Sequence, residues 1–341
     1  MEKKISVIIP CHNVEKYAER CFASLEAQTI GLDVLELILV DDASTDGTRE
    51  LLYQFQRKHA ESVKVIALEE NVRQGGARNR GLAIASAPYI GFVDSDDWIE
   101  PDMYEKMYEK AITYDCDIVF CRNVRDDGSG SEKMGRTGKE DCLFQIDADE
   151  QREEFIASCI LGVGVWDKIY KKELIIDNDI HFLEKMAYED IHWGAMFYLY
   201  AKRVYILEDK LYHYYINTQS TVLHRNQKYH FDFFRVNLNK MEEYEVRGAW
   251  LHYTEGVEYD FLLTYYIAGI KLLAHRFDEV PYDVFYEMQN TVQTLIPNYR
   301  ENKYVQRDAK EIYKLLFGLI DQKVEQKEID QMLAIVRETM L

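Results

Sequence analysis

Short apolar runs alternate with amphipathic segments through the first third of the chain. Five runs have the length and composition of buried strands: Ile5–Ile9, Leu35–Val40, Val63–Leu68, Tyr89–Val93 and Asp117–Cys121. Apolar residues recur at helical spacing between them, over residues 14–25, 48–59 and 76–86 and after Pro101. Asn13 and Asp46 precede the first two of these segments and are predicted helix caps. Strands alternating with helices indicate an α/β fold with a mostly parallel sheet and helices on both faces.

The pattern changes in the second part of the chain. Residues 126–149 are polar and contain Gly128 and Gly130, which predicts a loop. Helical spacing resumes at Gln151, residues 204–207 and 211–216 predict two short strands, and helices without strand signals follow from about Lys228. We therefore predict an α/β domain over residues 1–225, divided at about residue 125, and an all-helical C-terminal domain over residues 226–341.

The charge balance restricts the ligands of this protein. The 341 residues include 41 lysines and arginines against 60 aspartates and glutamates, a net charge of −19. Such an acidic surface repels nucleic acid and anionic lipid. It still permits a nucleotide, because a bound divalent cation can offset the local repulsion.

The sequence predicts a cytoplasmic protein. The six cysteines show no CxxC pair or zinc spacing, which is typical of reduced thiols. An apparent strand begins by Ile5, where a signal peptide would have its apolar core. The most apolar late stretch, residues 261–274, contains Lys271 and is too short to span a bilayer.

Polar side chains follow three of the predicted strands at the edge where parallel sheets bind ligands. They come after Pro10, at Asp41–Asp42 and at Asp94–Ser95–Asp96–Asp97. The carboxylates of the last segment repel one another unless a cation lies among them, and oxygen ligands suit Mg²⁺ or Mn²⁺. An exposed acidic turn that caps the helix at Pro101 is the alternative.

Two further segments carry groups suited to a nucleotide. Asp42 can accept a hydrogen bond from a base or a ribose hydroxyl, although capping explains its neighbours equally well. Gly75 and Gly76 permit close backbone approach, and Arg78 supplies charge for a diphosphate.

Together these segments resemble the family 2 glycosyltransferases, whose catalytic domain has the GT-A fold. The resemblance covers about residues 4–222 and rests on residues 7–13, 40–46, 71 with 77–82, 92–97, 166–170 and 188–190. It implies that residues 1–125 bind a nucleotide sugar and that residues 126–225 bind the acceptor.

The resemblance also implies a role for each matching residue. Those expected to bind substrate are Pro10, His12, Asn13, Asp42, Asn71, Arg78, Asp94, Trp166 and Lys168. The first four would hold the nucleobase, most often uracil in this family, while Asn71 and Arg78 would lie along the nucleotide. Asp94 and Asp96 would contact ribose and a Mn²⁺ or Mg²⁺ ion, with Asp97 as a second metal ligand. Asp190 would be the catalytic base, with Glu189 as the alternate.

The sequence departs from the family pattern at two places. Arg73 stands where the family often has glycine, and Tyr214–Asn217 replaces a segment that often contains arginine. Lys168, Arg225 or Lys228 could supply the phosphate contact that this second change removes.

The resemblance implies an inverting transfer of a sugar from a nucleotide diphosphate, most often UDP, to a hydroxyl of a glycan or lipid-linked acceptor in surface polysaccharide synthesis. The aromatic helices after residue 250 leave open peripheral contact with the inner face of the membrane and homo-oligomer formation. A nucleotidyltransferase or a non-catalytic sugar-nucleotide binding protein is the alternative. The former is expected to carry a Gly-rich basic loop where this chain has Pro10–Asn13. From the residues alone, core packing also explains Trp166, and helix capping explains Glu189 and Asp190.

Overall fold

The computed structural model describes residues 2–126, 134–216 and 223–340. Its strands are β1 (Ile5–Cys11), β2 (Leu35–Asp41), β3 (Val63–Ala67), β4 (Tyr89–Phe92), β5 (Trp98–Ile99), β6 (Ile118–Asp126), β7 (Gly135–Arg136), β8 (Cys142–Gln145), β9 (Lys168–Lys171) and β10 (Arg203–Tyr215). The first helices are α1 (Ala18–Glu26), α2 (Thr48–Lys58), α3 (Arg73–Leu82), α4 (Met103–Thr113), α5 (Asp149–Ser158), α6 (Lys172–Asp177) and α7 (Glu189–Tyr200).

Helices alone follow the last strand in the described residues. They are α8 (Asp232–Val246), α9 (Ala249–His252), α10 (Thr254–Phe261), α11 (Ala268–Arg276), α12 (Tyr282–Leu295), α13 (Lys303–Arg307), α14 (Glu311–Gly318) and α15 (Gln326–Thr339). A π-helical segment, Leu262–Ile267, joins α10 to α11. Short 3-10 turns occupy Leu32–Val34, Lys228–Phe231 and Tyr299–Glu301. Over the described parts of the chain, none of the helices combines the length and the apolar character that crossing a bilayer requires.

The central sheet is mixed, whereas the sequence predicted a mostly parallel one. The strand order is β3-β2-β1-β4-β9-β6-β10-β5, and β7 and β8 also pair with β10. Strands β3, β2, β1 and β4 are mutually parallel, but β9 runs antiparallel to both β4 and β6. The prediction missed β9 because it is only four residues long and its apolar residues are flanked by lysines.

The parallel half of the sheet brings the motif-bearing strand ends to one edge. All seven residues of β1 are buried, and their register with β2 runs from Ile5 beside Leu35 to Cys11 beside Asp41. On the other side of β1, Ile8 lies beside Phe92 of β4. The loops after β1, β2 and β4 therefore leave the sheet next to one another.

The region predicted as a loop over residues 126–149 contains β7 and β8; Gly128 and Gly130 lie outside the described residues. Both strands pair antiparallel with β10. The sequence predicted two short strands where the structure has the single strand β10. Pairing with β7 continues β10 across the polar residues Glu208–Lys210. Its register with β6 shifts there, as in a β-bulge.

The predicted helix starts are right for α2 and wrong for its neighbours. Helix α2 begins at Thr48, whose main-chain N–H donates to the carboxylate of Asp46 at 3.0 Å. Helix α1 begins only at Ala18, because Asn13 has a φ of 54° and its side chain turns to Thr45 instead of capping the helix. Helix α3 begins at Arg73 and ends at Leu82, earlier than predicted at both ends.

Contacts divide the chain into two compact units. The first comprises residues 1–147 and 161–218 and contains the whole sheet; the second comprises residues 148–160 and 219–341 and is helical. Helix α5 belongs to the second unit, where it packs on α10. This packing needs Gly256, because a Cβ there would lie 2.7 Å from the main-chain oxygen of Glu153.

Candidate active site

Exposed polar side chains gather where β1 and β2 end. Nδ1 of His12 lies 2.7 Å from the main-chain oxygen of Asp42, and Nδ2 of Asn71 donates to the same oxygen at 3.3 Å. The side-chain oxygen of Asn13 accepts from the N–H of Thr45 at 2.8 Å. Because His12, Asn13 and Asn71 are all exposed, they form an open polar surface beside the last residues of β1, including Pro10.

The side chain of Asp42 is turned inward from this surface. Its Oδ1 accepts the main-chain N–H of Val72 at 2.7 Å, at the start of α3. Burial raises the pKa of Asp42, and the N–H of Val72 opposes that rise. The carboxylate therefore ties the end of β2 to α3, a role beyond the nucleobase contact that the resemblance implies.

Several loops around this edge contain a non-glycine residue in the left-handed conformation. They are Asn13, Ala43, Arg73 and Tyr188, with φ values of 54°, 55°, 62° and 64°. Such residues cost about 1–3 kcal/mol each and persist only where the surroundings determine them. Arg73 thus keeps the backbone conformation that favours glycine, the residue often found there in the family.

The Asp94–Asp97 segment follows β4, as predicted, and its carboxylates take different directions. Asp97 is buried, and its two oxygens accept from the hydroxyl of Tyr212 and the N–H of Tyr215, both at 2.7 Å. Burial and the charges of Asp96 and Asp94 raise the pKa of Asp97, although these hydrogen bonds oppose the rise. Asp94 and Asp96 are only half-buried.

Two carboxylates of this segment suit a divalent cation. Among residues 2–126, 134–216 and 223–340, no three or more His, Cys, Asp or Glu side chains are grouped so that they could hold a metal. Mg²⁺ and Mn²⁺, however, commonly take one or two carboxylates and complete their shell with water and substrate phosphates. The half-buried Asp94 and Asp96 fit that chemistry, whereas both oxygens of Asp97 already accept hydrogen bonds.

Arg78 joins the Asp94 segment to α7. Its Nη2 donates to Asp94 at 2.7 Å and its Nη1 to Glu189 at 2.5 Å, while its own side chain is only 3% exposed. Burial opposes the charged form, but the charges of Asp94 and Glu189 outweigh it and raise the pKa of Arg78. The sequence predicted an arginine along the nucleotide, and the structure places it between two carboxylates.

Glu189 and Asp190 form the first turn of α7, where the helix dipole favours negative charge. Glu189 is buried against Arg78, and Asp190 is half-buried with its Oδ1 accepting the N–H of Ile191 at 3.0 Å. Burial, and then the charge of Glu189, raise the pKa of Asp190 to about 7, while Arg78 opposes the rise. A carboxylate with that pKa is suited to take a proton near neutral pH.

Trp166 lies two residues before β9, and Lys168 is the first residue of that strand. The Trp166 ring is half-buried and stacks on Tyr212 and Tyr214, with centroid distances of 4.2 and 5.6 Å. Lys168 is buried, and its Nζ pairs with Asp167 at 2.6 Å and donates to the main-chain oxygen of Gly164. Trp166 thus presents an aromatic face. Lys168 stabilises the turn before Trp166 through its hydrogen bond to Gly164.

Two residues that support this site were not singled out in the sequence. Besides binding Asp97, the Tyr212 hydroxyl accepts the N–H of Asp94 at 3.1 Å. Arg20 of α1 donates to the main-chain oxygen of Asp96 at 2.9 Å and lies over the Trp98 ring at 3.6 Å. Neither has a local sequence signal, since one is an aromatic residue in a strand and the other a cation on a helix surface.

The fold and this edge of the sheet define the class of protein. The family described as Glycosyl transferase family 2 matches residues 6–167. EpsH of Bacillus subtilis is 31% identical over 257 residues, which cover 70% of this chain and 71% of EpsH. The glycosyltransferase GlyG of Streptococcus pneumoniae is 30% identical over 219 residues, which cover 63% of this chain and 71% of GlyG. The chain therefore belongs to glycosyl transferase family 2 and is a glycosyltransferase.

A solved structure agrees with the GT-A fold. Residues 1–349 of TarS from Staphylococcus aureus, in complex with UDP-GlcNAc, superpose with a TM-score of 0.68 at 20% identity, over 98% of this chain and 91% of that one. In sequence, TarS is 32% identical over 213 residues, which cover 62% of this chain and 35% of the full-length TarS. The expectation of a GT-A fold followed by a helical region is confirmed, with a sheet that is mixed.

Proposed function

We propose that this chain is an inverting, metal-dependent glycosyltransferase. It moves a sugar from a UDP-sugar to a hydroxyl of a glycan or lipid-linked acceptor in the synthesis of a surface polysaccharide. The observation that carries the proposal is the Arg78 bridge, which sets the Asp94–Asp96 segment beside Glu189 and Asp190. The name of TarS, a poly(ribitol-phosphate) β-N-acetylglucosaminyltransferase, supports a polymer as acceptor.

Asp190 is the proposed catalytic base. Its half-buried carboxylate has a pKa of about 7, raised by burial and by Glu189, so it is partly ionised near neutral pH. It accepts the proton of the acceptor hydroxyl as that oxygen attacks the anomeric carbon, an effect worth ~10²–10⁴-fold in rate. A single attack from the face opposite the leaving diphosphate inverts the configuration. Glu189, which is held by Arg78, places a negative charge near Asp190 and so raises the pKa of this base.

The donor binds along the carboxyl edge of the parallel strands. His12, Asn13 and Asn71 face the nucleoside, and Asp42 holds the start of α3 beside it. Asp96, together with Asp94, would hold the Mn²⁺ or Mg²⁺ ion. When bound, that ion supplies positive charge beside the diphosphate on which negative charge develops. Trp166 offers its ring to the apolar face of an acceptor sugar.

A thermal-shift screen with UDP-GlcNAc and UDP, with and without Mn²⁺, tests the donor site, since a ligand that binds only the folded state raises its apparent stability. We expect the parental protein to show a shift that depends on Mn²⁺ and Asp96→Ala to lose it. Asp177→Ala, which removes an exposed aspartate of α6, is the matched control and should retain the shift.

Nucleotide release separates the alternatives. A glycosyltransferase slowly releases UDP from the UDP-sugar even when water is the acceptor, whereas a pure binding protein shifts in stability and releases nothing. A nucleotidyltransferase would form a sugar nucleotide and pyrophosphate from a nucleoside triphosphate and a sugar phosphate. Absence of UDP release from every UDP-sugar tested, with donor bound, would contradict the proposed function.

A further inference from the structure

Both terminal nitrogens of Arg78 bind carboxylates of the protein itself. Nη1 and Nη2 bind Glu189 and Asp94, and Nε is buried without a hydrogen-bond partner among the described residues. The guanidinium carbon lies 5.3 Å from the centre of the Phe182 ring. A side chain that is 3% exposed and already holds two carboxylates is poorly placed to bind a phosphate as well.

The two carboxylates come from distant parts of the chain. Asp94 is 16 residues from Arg78 in sequence, and Glu189 is 111 residues away. With Asp190 beside them, these carboxylates repel one another, and the Arg78 cation between Asp94 and Glu189 offsets that repulsion. The planar guanidinium can reach both partners in fixed directions, whereas a lysine ammonium is a single point charge on a flexible stem.

Helix α3 holds the segment before Glu189 at further points. The side-chain amide of Asn79 donates to the main-chain oxygen of Phe182 and accepts its N–H, both at 2.9 Å. At Gly75, a Cβ would lie 2.4 Å from the main-chain oxygen of Leu183 and 2.9 Å from Cγ of Glu189. One helix therefore determines where residues 182–189 lie, through a charge contact, an amide pair and a close backbone approach.

We propose that Arg78 is a positioning residue that fixes the Glu189–Asp190 pair against Asp94, and that it does not bind the nucleotide. Gly75 and Asn79, also on α3, help to position the same segment. The role rests on the proposed function, because what is positioned is the base of the transfer reaction. It differs from the nucleotide contact that the resemblance assigns to this arginine.

Arg78→Lys tests the proposal with two measurements on the full chain. Calorimetric titration with UDP and Mn²⁺ should give a Kd within about threefold of the parental value, because no nucleotide contact is lost and a lysine can still pair with Asp94, although it cannot reach Glu189 as well. The kcat for UDP release from UDP-GlcNAc should fall by about 10–100-fold, the cost of a small misplacement of a reacting group. Arg57→Lys is the matched control, because Arg57 is exposed on α2 and pairs there with Glu50. It should leave both values unchanged.

Gly75→Ala provides a test without any change of charge. The new methyl group must displace Leu183 and Glu189, so kcat should again fall while UDP affinity remains. The proposal is overturned if Arg78→Lys weakens UDP binding more than about tenfold with kcat preserved, which would make Arg78 a nucleotide contact. It is equally overturned if Gly75→Ala turns over at the parental rate. A parental protein that binds UDP but releases none from UDP-GlcNAc would instead refute the proposed function itself.

Discussion

Each of the two units contains a buried ionic cluster, and the clusters differ in their charge balance. In the helical unit, Nζ of Lys240 pairs with Asp260 at 2.6 Å, and these side chains are 1% and 6% exposed. Thr264 and Tyr244 add hydrogen bonds, so one cation meets one carboxylate among neutral donors and acceptors. In the α/β unit, Arg78 meets Asp94 and Glu189 with Asp190 close by, which leaves an excess of negative charge.

Burial has a different consequence in each unit. A balanced pair satisfies the charges of both its members and fixes how α8 packs on α10. The unbalanced cluster holds Asp190 at a pKa of about 7, through burial and the nearby charge of Glu189. Groups whose pKa values are shifted in this way concentrate at active sites. The following experiments test whether one cluster serves stability and the other reactivity.

The largest effect should come from Asp190→Asn. UDP release should fall by ~10²–10⁴-fold, because the amide cannot accept the proton of the attacking hydroxyl. The free energy of unfolding should stay equal or rise, since a buried like charge is removed. Steady-state kinetics and urea denaturation of the same preparation measure the two quantities. Release at the parental rate would show that Asp190 is not the base.

Lys240→Met should act on stability instead. Removing one partner leaves Asp260 buried without its cation, which costs about 3–5 kcal/mol of unfolding free energy. The double variant Lys240→Met with Asp260→Leu should recover most of this loss, because both charges are gone. Urea denaturation followed by circular dichroism measures both variants. A loss that persists in the double variant would mean that packing, rather than charge, dominates at this position.

Glu36→Gln should have a smaller effect on a further cluster near the amino ends of β1 and β2. Glu36 accepts from Ser86 and Lys64 at 2.7 and 2.6 Å and also binds Ser6, so its loss should cost about 1–3 kcal/mol of unfolding free energy. Burial alone would raise the pKa of Glu36, but these hydrogen bonds outweigh it and hold the pKa at about 2.

The sign of this shift sets the pH dependence. Because the folded-state pKa is below the ordinary 4.5, the Glu36 contribution is complete above about pH 5 and is lost as the pH falls toward 2. The parental protein and Glu36→Gln should therefore differ in urea midpoint at pH 7 and converge in acid. An equal difference at pH 7 and pH 3 would contradict this account.

The smallest effect should appear in the pH profile of kcat/KM for UDP release. Asp190 must be ionised to accept a proton, so kcat/KM should rise with pH, by about fivefold between pH 6 and pH 7. Glu189→Gln removes a charge that raises the pKa of Asp190 and should move the rise to lower pH. A flat profile over this range would exclude Asp190 as the titrating base.

Several elements of this protein can be recognised from local sequence patterns. Apolar runs and caps identify β1, β2, β4 and α2, because a buried strand or an amphipathic helix needs only its own residues to be recognised. The same reasoning placed Asp42 and Asp94–Asp97 after strands of a parallel sheet and led to the family. Parallel neighbours end at one edge, so these motifs had to meet there.

The pairing of the side chains depends on the three-dimensional fold. Three features join residues that are far apart in the chain. They are the ion pair of Arg78 with Glu189, the hydrogen bond from Tyr212 to Asp97, and the antiparallel pairing of β9 between β4 and β6. Such contacts depend on strand register and on which charges are buried together. Neither can be predicted from the periodicity of the sequence. A charged residue in a motif therefore predicts where a site lies, while its partner, and hence its role, is determined by folding.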